Sequence, residues 1–137
     1  MQQFLPDPEA TERFGASLLQ RVPAKSLVFL LGDLGAGKTT VVRGFLRAAG
    51  HQGTVKSPTY NLVEEYHLAG KKIYHFDLYR LNDPEELEWI GINDYLNQDA
   101  VCFIEWPEHG KEILPQPDII IKLKSENEGR VAEFLKQ

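Results

Sequence analysis

The sequence predicts an α/β domain built on a mixed, largely parallel β-sheet. Residues 27–31 and 101–105 are short apolar runs, typical of strands that are buried on both faces of a parallel sheet. Residues 60–67 and 72–78 have the character of two further strands, and the turn residues 69–71 between them predict a hairpin. Helical patterns alternate with these strands along the chain, as they do in α/β domains.

Helix signals separate the predicted strands. Asp7 and Pro8 are a typical N-cap and first helical residue, and apolar residues then repeat at helical spacing. Residues 39–49 predict a second helix that ends at Gly50. Residues 83–86 predict the start of a third helix, with a glutamate placed for a capping box. The remaining predicted elements are the two strands of a closing hairpin, residues 118–123 and 130–135.

The composition is that of a globular protein, and we expect residues 1–137 to form a single domain. Apolar residues make up 42% of the chain, and no run approaches the roughly 18 consecutive apolar residues of a membrane span. No secretory signal is visible, and the single cysteine, Cys102, excludes an internal disulfide, so we expect a cytoplasmic protein. The net charge of −5 argues against independent binding to nucleic acid, which usually requires a basic surface.

Residues 32–39 match the motif G-x-x-x-x-G-K-(S/T) in full, between a predicted strand and a predicted helix. Glycines let such a loop curl so that its backbone N–H groups point at phosphate oxygens, and the helix adds its positive N-terminal end. We expect Lys38 to reach the β- and γ-phosphates of a nucleotide and the Thr39 hydroxyl to hold Mg²⁺. A chance match in a glycine-rich turn is disfavoured by the strand and helix on either side.

Two acidic residues stand at the ends of predicted strands. Asp77 ends the apolar part of one strand, and Glu105 ends another and is followed by Trp106. Ligands of open α/β sheets bind beyond the carboxyl ends of the strands, so both acids are expected to face the phosphate loop. The alternative is a pair of ordinary strand-end acids exposed to solvent.

Residues 57–59, Ser-Pro-Thr, lie between the phosphate-loop helix and the hairpin, where GTPase-like proteins carry a segment that senses the γ-phosphate. Thr59 could offer its hydroxyl to Mg²⁺ or to the terminal phosphate, and a proline-containing turn is an equally good interpretation. The four histidines, His75 among them, are scattered without metal-ligand spacing. Arg80 fits a surface ion pair at least as well as a phosphate contact.

Four stretches in this order resemble the TsaE family, also called YjeE: GDLGAGKTT, SPTY, YHFDLYRL with DPEELE, and IEWPE. The resemblance covers most of the chain, residues 7–118. It implies a P-loop NTPase-like three-layer domain with a mixed, largely parallel central sheet and a β-hairpin insertion. TsaE proteins are bacterial P-loop ATPases required for threonylcarbamoyladenosine (t6A) modification of tRNA, so the resemblance also implies ATP and Mg²⁺ as cofactors.

The resemblance assigns roles by position. Lys38, Asp77 and Glu105 would be the catalytic residues, and Thr39 and Glu105 would hold the magnesium ion. Thr59 would be the switch-like threonine. The nucleotide-binding positions would be Thr11, Gly35, Ala36, Gly37, Lys38, Thr39, Thr40, Thr59 and Trp106.

The resemblance also implies partners. TsaE proteins act with TsaD, which carries out the transfer to adenosine, and with TsaB, so tRNA would be handled through these partners. The implied function is slow, partner-dependent ATP hydrolysis during modification of adenosine 37 in tRNAs that read codons beginning with A. A small-molecule kinase and a GTPase-like switch stay open as alternatives. The sequence shows neither the arginine-rich lid typical of such kinases nor the guanine-reading N-K-x-D pattern.

Overall fold

The computed structural model describes residues 2–58 and 61–137. Seven strands and four α-helices lie within these ranges, with short 3₁₀ turns at Leu18–Gln20 and Pro107–Gly110. No helix in the described ranges is both long enough and apolar enough to cross a membrane. The elements in chain order are β1 (Gln2–Leu5), α1 (Pro8–Ser17), β2 (Ser26–Leu31), α2 (Lys38–Ala48), β3 (Val63–Leu68), β4 (Lys71–Asp77), α3 (Glu85–Trp89), α4 (Ile92–Leu96), β5 (Ala100–Glu105), β6 (Ile119–Glu126) and β7 (Gly129–Lys136).

The strands form one mixed sheet in the order β1-β7-β6-β2-β5-β4-β3. Strand β2 pairs in parallel with both β5 and β6, and β5 pairs in parallel with β4. The outer pairs β3–β4, β6–β7 and β1–β7 are antiparallel. The predicted α/β class, the mixed sheet and the two hairpins are therefore confirmed, and the β3–β4 hairpin is continuous with the parallel strands.

Strand β1 is absent from the sequence-based prediction. It pairs along its whole length with β7 at the other end of the chain, so that Phe4 lies opposite Val131. Four residues without a clear alternation of apolar and polar side chains carry little local strand signal. The strand exists because β7 offers it a backbone to pair with.

Helices cover both faces of the sheet, because alternate residues of the central strands point to opposite sides. Ile73 and Phe103 belong to a core shared with α1 and α2, whereas Phe76 and Ile104 belong to a core shared with α3 and α4. The short apolar runs of β2 and β5 are therefore buried on both faces, as their sequences predict.

Helices α1 and α2 pack in close contact on one face. A methyl group added at Gly15 would overlap the backbone carbonyl of Val41, and one added at Gly44 would overlap the carbonyl of Glu12. Asp7 caps α1 as predicted, since its Oδ1 accepts a hydrogen bond of 2.7 Å from the amide of Ala10. The close packing places the first turn of α1 beside the loop that precedes α2.

The capping box predicted before α3 is also present. The Oε2 atom of Glu86 accepts hydrogen bonds from the amides of Asn82 and Asp83, at 3.0 and 3.1 Å. In turn, the Oδ1 atom of Asp83 accepts one from the amide of Glu85. The helix that follows is short, ending at Trp89, because Gly91 then adopts a left-handed conformation with φ of 77°.

Candidate phosphate-loop site

The glycine-rich loop connects β2 to α2 at the carboxyl edge of the parallel strands. Its three glycines, Gly32, Gly35 and Gly37, all have positive φ angles, of 154°, 77° and 102°. Side chains other than glycine rarely adopt the left-handed conformations of Gly35 and Gly37. The glycines of the motif therefore permit the backbone conformation of the loop. Helix α2 begins directly after them, at Lys38.

Lys38 lies over the loop and is only 4% exposed. Its Nζ atom donates a hydrogen bond of 2.5 Å to the carbonyl of Gly32 and lies 3.7 Å from the centre of the Trp106 ring. Burial lowers the pKa of Lys38, and the nearby carboxylates, Glu105 first among them, offset this only in part. The lysine is thus a desolvated cation at the centre of the site.

Glu105 connects the loop helix to the sheet. Its Oε2 atom accepts a hydrogen bond of 2.8 Å from the hydroxyl of Thr39 and lies 2.6 Å from Nε2 of His75. Burial raises the pKa of Glu105, but the hydrogen bonds and charges of His75, Thr39 and Lys38 outweigh this effect and hold its pKa below the ordinary value. Glu105 is therefore an ionised carboxylate, although its side chain is almost fully buried.

Asp77 lies beside Glu105, because the two residues are paired in register at the ends of β4 and β5. Its Oδ2 accepts a hydrogen bond of 3.3 Å from the hydroxyl of Ser57, and its Oδ1 accepts one of 3.0 Å from the amide of Tyr79. Asp77 and Glu105 are 6% and 4% exposed, so neither is an ordinary acid in solvent.

Trp106 adopts a left-handed backbone conformation with φ of 58°, uncommon for a bulky residue. This conformation turns the chain immediately after Glu105. The ring then stacks on His109, with 5.6 Å between the ring centres, and contacts Tyr79 at 5.1 Å. The Trp106 ring, supported in this way by Tyr79 and His109, covers one side of Lys38.

Two cavities meet at the loop. The larger, of about 530 Å³, is lined by Lys38, Thr39, Ser57, Asp77, Arg80, Glu105 and Trp106, together with loop residues. The smaller, of about 290 Å³, lies between the start of α1 and the β6–β7 turn, and its lining includes Asp7, Thr11, Thr40, Glu128 and Arg130. Both cavities contact Gly35, Gly37 and Thr40, so one extended ligand can occupy both while it follows the loop.

Arg130 is a site residue that the sequence analysis missed. From the start of β7, its Nη2 donates a hydrogen bond of 2.8 Å to the carbonyl of Gly35, and its Nε donates one of 3.0 Å to the carbonyl of Ala36. These carbonyls lie 95 and 94 residues away in the chain. No motif in the sequence connects this arginine with the loop, and only the strand order reveals the contact.

The structure brings together most of the residues that the sequence predicts for the site. Lys38, Thr39, Asp77, Glu105 and Trp106 line one cavity, and Thr11 lies in the other, facing Gly37. Thr59 lies outside the described residues. The sequence analysis set His75 aside and gave Ser57 no separate role, yet both are bonded to the acids of the site. The sequence did hold one indication of this role, because His75 stands between the apolar residues of β4, next to Phe76.

No group of three or more His, Cys, Asp or Glu side chains in the described part of the chain could hold a metal ion. Thr39 and Glu105 bring a hydroxyl oxygen and a carboxylate oxygen together at the loop. Oxygen donors of this kind suit Mg²⁺, which also takes oxygen ligands from water and from substrate phosphates.

The fold and the site define a class: α/β proteins in which a G-x-x-x-x-G-K-(S/T) loop and strand-end acids meet at the carboxyl edge of parallel strands. Comparison with known proteins then identifies the family. The family model described as "Threonylcarbamoyl adenosine biosynthesis protein TsaE" matches residues 5–132. This chain belongs to the TsaE family.

Individual relatives agree with this assignment. The tRNA threonylcarbamoyladenosine biosynthesis protein TsaE of Haemophilus influenzae is 54% identical over 140 aligned residues, which cover 98% of this chain and 89% of the relative. The protein of the same name from Synechocystis is 41% identical, over 85% of this chain and 73% of the relative. The crystal structure of Bacillus subtilis YdiB superposes with a TM-score of 0.82 at 28% identity, covering 98% of this chain and 83% of that structure.

Proposed function

We propose that this protein is a cytoplasmic ATP-binding subunit, with slow intrinsic ATP hydrolysis, that is required for t6A modification of tRNA. The observation that carries the proposal is the hydrogen bond between Thr39, at the start of the loop helix, and the ionised carboxylate of Glu105 at the end of β5. The fold that we assign is the P-loop NTPase-like, three-layer one. Membership of the TsaE family supports the place in t6A biosynthesis.

We assign the phosphates of ATP to the loop. Its glycines and the first turn of α2 provide backbone N–H groups for phosphate oxygens. Lys38 is buried beside this loop with one carbonyl partner and one aromatic partner, so its ammonium is available to exchange the Gly32 carbonyl for phosphate oxygens. A phosphate is the stronger partner, because a hydrogen bond between two ions is stronger than one to a neutral acceptor.

We assign Mg²⁺ to Thr39 and Glu105, whose oxygens fit this ion, together with phosphate oxygens of the nucleotide. When bound, the ion would neutralise charge on the β- and γ-phosphates. Asp77 lies next to Glu105 and would orient the attacking water. Hydrogen bonds from the Ser57 hydroxyl and from the amide of Tyr79 hold the carboxylate in place.

We assign the nucleoside to the smaller cavity, between Asp7–Thr11 and the β6–β7 turn. This cavity adjoins the loop at Gly35 and Thr40, where the chain of phosphates would end. Arg130 forms one wall and holds the loop carbonyls at the same time. The two cavities together thus accommodate an elongated nucleotide.

We propose TsaB and TsaD as the partners, with tRNA bound through them. The net charge of −5 agrees with a subunit that does not itself hold the tRNA. Thr59 lies outside the described residues, and on sequence grounds we propose it as the sensor of the γ-phosphate. Its neighbour Ser57 is bonded to Asp77 and connects this segment with the site.

The proposed function is tested with purified protein, ATP and the TsaB–TsaD pair. We expect Mg²⁺-dependent ATP binding that GTP competes for poorly, slow hydrolysis by the protein alone, and a changed rate or affinity with the pair, as linkage requires. The Thr59→Ala variant should lose more of this response than of basal ATP binding. No effect of the pair on either quantity would remove the complex from the proposal, and transfer of labelled phosphate to a small acceptor would indicate a kinase.

A separate prediction concerns Arg130. Arg130→Lys should weaken ATP binding about tenfold, because one ammonium cannot replace the planar guanidinium that holds two loop carbonyls at once. Lys124→Ala removes a positive charge from an exposed position on the same hairpin and serves as the matched control. Calorimetric titration with ATP measures both variants. Equal affinities for Arg130→Lys and wild type would show that the Arg130 contacts do not contribute to the ATP site.

A further inference from the structure

His75 is a buried polar residue for which the proposed function has no role. It lies in β4 with no exposed surface, two residues from Ile73 on the face that packs against α1 and α2. Its Nε2 atom is 2.6 Å from Oε2 of Glu105. Its other ring nitrogen, Nδ1, is buried and has no hydrogen-bond partner. Among the described residues, every other buried side-chain nitrogen or oxygen has one.

The direction of the short hydrogen bond follows from its partners. A carboxylate only accepts hydrogen bonds, so we assign the proton of this contact to Nε2 of His75, which donates it. The same Oε2 atom accepts the hydroxyl of Thr39. Two donors, one from the sheet and one from the loop helix, therefore hold a single carboxylate oxygen from different sides.

This arrangement is unfavourable for stability alone. A buried polar atom without a partner costs free energy that an apolar side chain of similar size would not. The face of β4 on which His75 lies belongs to an apolar core, in which leucine or methionine would be in keeping with the neighbours. The hydrogen bond from Nε2 to Glu105 is therefore the interaction that offsets this cost.

We propose that His75 is a positioning residue for Glu105, an inference that rests on the proposed function. By donating to Oε2 from the sheet side, His75 holds the carboxylate against the hydroxyl of Thr39. It thereby sets the arrangement of the two oxygens that would take Mg²⁺. Residues that hold metal-binding side chains in this way commonly change metal affinity when they are replaced.

The test uses three substitutions at residue 75 and one control. His75→Gln keeps a donor at about the reach of Nε2, His75→Asn is one methylene shorter and loses that donor, and His75→Leu removes all polarity. Ile73→Val perturbs packing on the same face of the same strand without touching the hydrogen bond. The readouts are the Mg²⁺ concentration that half-maximally promotes binding of a non-hydrolysable ATP analogue, and the melting temperature without ligands.

We expect His75→Asn and His75→Leu to need about 10- to 100-fold more Mg²⁺, and His75→Gln to stay within about threefold of wild type. His75→Leu should melt below wild type, because the buried carboxylate of Glu105 loses a donor, and this loss outweighs the removal of the unpartnered nitrogen. Ile73→Val should leave the Mg²⁺ requirement unchanged. If His75→Leu does not fold, the comparison of His75→Gln with His75→Asn decides.

Two outcomes would overturn the inference. An unchanged Mg²⁺ requirement in His75→Asn and His75→Leu would leave His75 a purely structural residue, while the proposed function would stand. An equal increase in all three variants and in Ile73→Val would attribute the effect to packing. Failure of wild type to bind the analogue with Mg²⁺ would overturn the proposed function, and this inference with it.

Discussion

Lys38→Met should reduce ATP affinity by at least about 100-fold, because charged hydrogen bonds contribute roughly 1.5–3 kcal/mol each and Lys38 can make several to the phosphates. The variant should nevertheless melt at the same temperature as the unliganded wild type or higher. In the unliganded protein Lys38 is 4% exposed, and burial lowers its pKa. Burying the charge of Lys38 therefore costs free energy on folding. Methionine has a similar shape but no charge, so its burial does not carry this cost.

The pH dependence of this difference has a definite sign. The folded pKa of Lys38 lies below the ordinary value of 10.5, so between these two values the unfolded chain binds more protons and wild-type stability rises with pH. The stability advantage of Lys38→Met should then shrink as pH rises through that range. Melting curves at several pH values measure it, with calorimetry for ATP affinity.

The matched control for Lys38→Met is Lys111→Met, which makes the same substitution at an exposed position after the 3₁₀ turn that follows β5. It should leave both ATP affinity and melting temperature near wild type. Near-normal ATP binding by Lys38→Met would contradict the assignment of residues 32–39 as a phosphate-binding loop.

Glu105→Ala should lower Mg²⁺-dependent ATP hydrolysis by roughly 100-fold or more, since a preorganised charge at a reacting phosphate contributes at this scale. The substitution removes the carboxylate next to Lys38 and leaves Thr39 and His75 without their shared acceptor. Hydrolysis is measured over a range of Mg²⁺ concentrations with the TsaB–TsaD pair present, because the basal rate is expected to be slow.

Two further variants make the Glu105 test specific. Glu108→Ala removes an exposed carboxylate that also acts on the charge of Lys38, and it should have little effect on hydrolysis. Thr39→Ala should act in the same direction as Glu105→Ala. The double variant should cost less than the sum of the two, because the residues share one hydrogen bond. Wild-type Mg²⁺ dependence in both single variants would contradict the proposed metal site.

The sequence by itself determined the features that depend on neighbours in the chain. The cap of α1 at Asp7, the apolar strands β2 and β5, and both hairpins are encoded in a few consecutive residues each. The glycines of residues 32–37 could also be interpreted from the local sequence, because each one permits a positive φ angle at its own position. Asp77 and Glu105 could also be predicted to lie together, because parallel strands end at the same edge of a sheet.

Only the tertiary structure decided the contacts between distant parts of the chain. Strand β1 exists because β7 pairs with it, and Arg130 reaches Gly35 across 95 residues because β6 places the β6–β7 hairpin beside β2. His75 looked like one scattered histidine until the register of β4 and β5 brought its Nε2 to Glu105. Hydrogen bonds act over about 3 Å, so residues far apart in sequence become partners only when strand order and register are fixed. Local sequence patterns do not specify the strand order or the register directly.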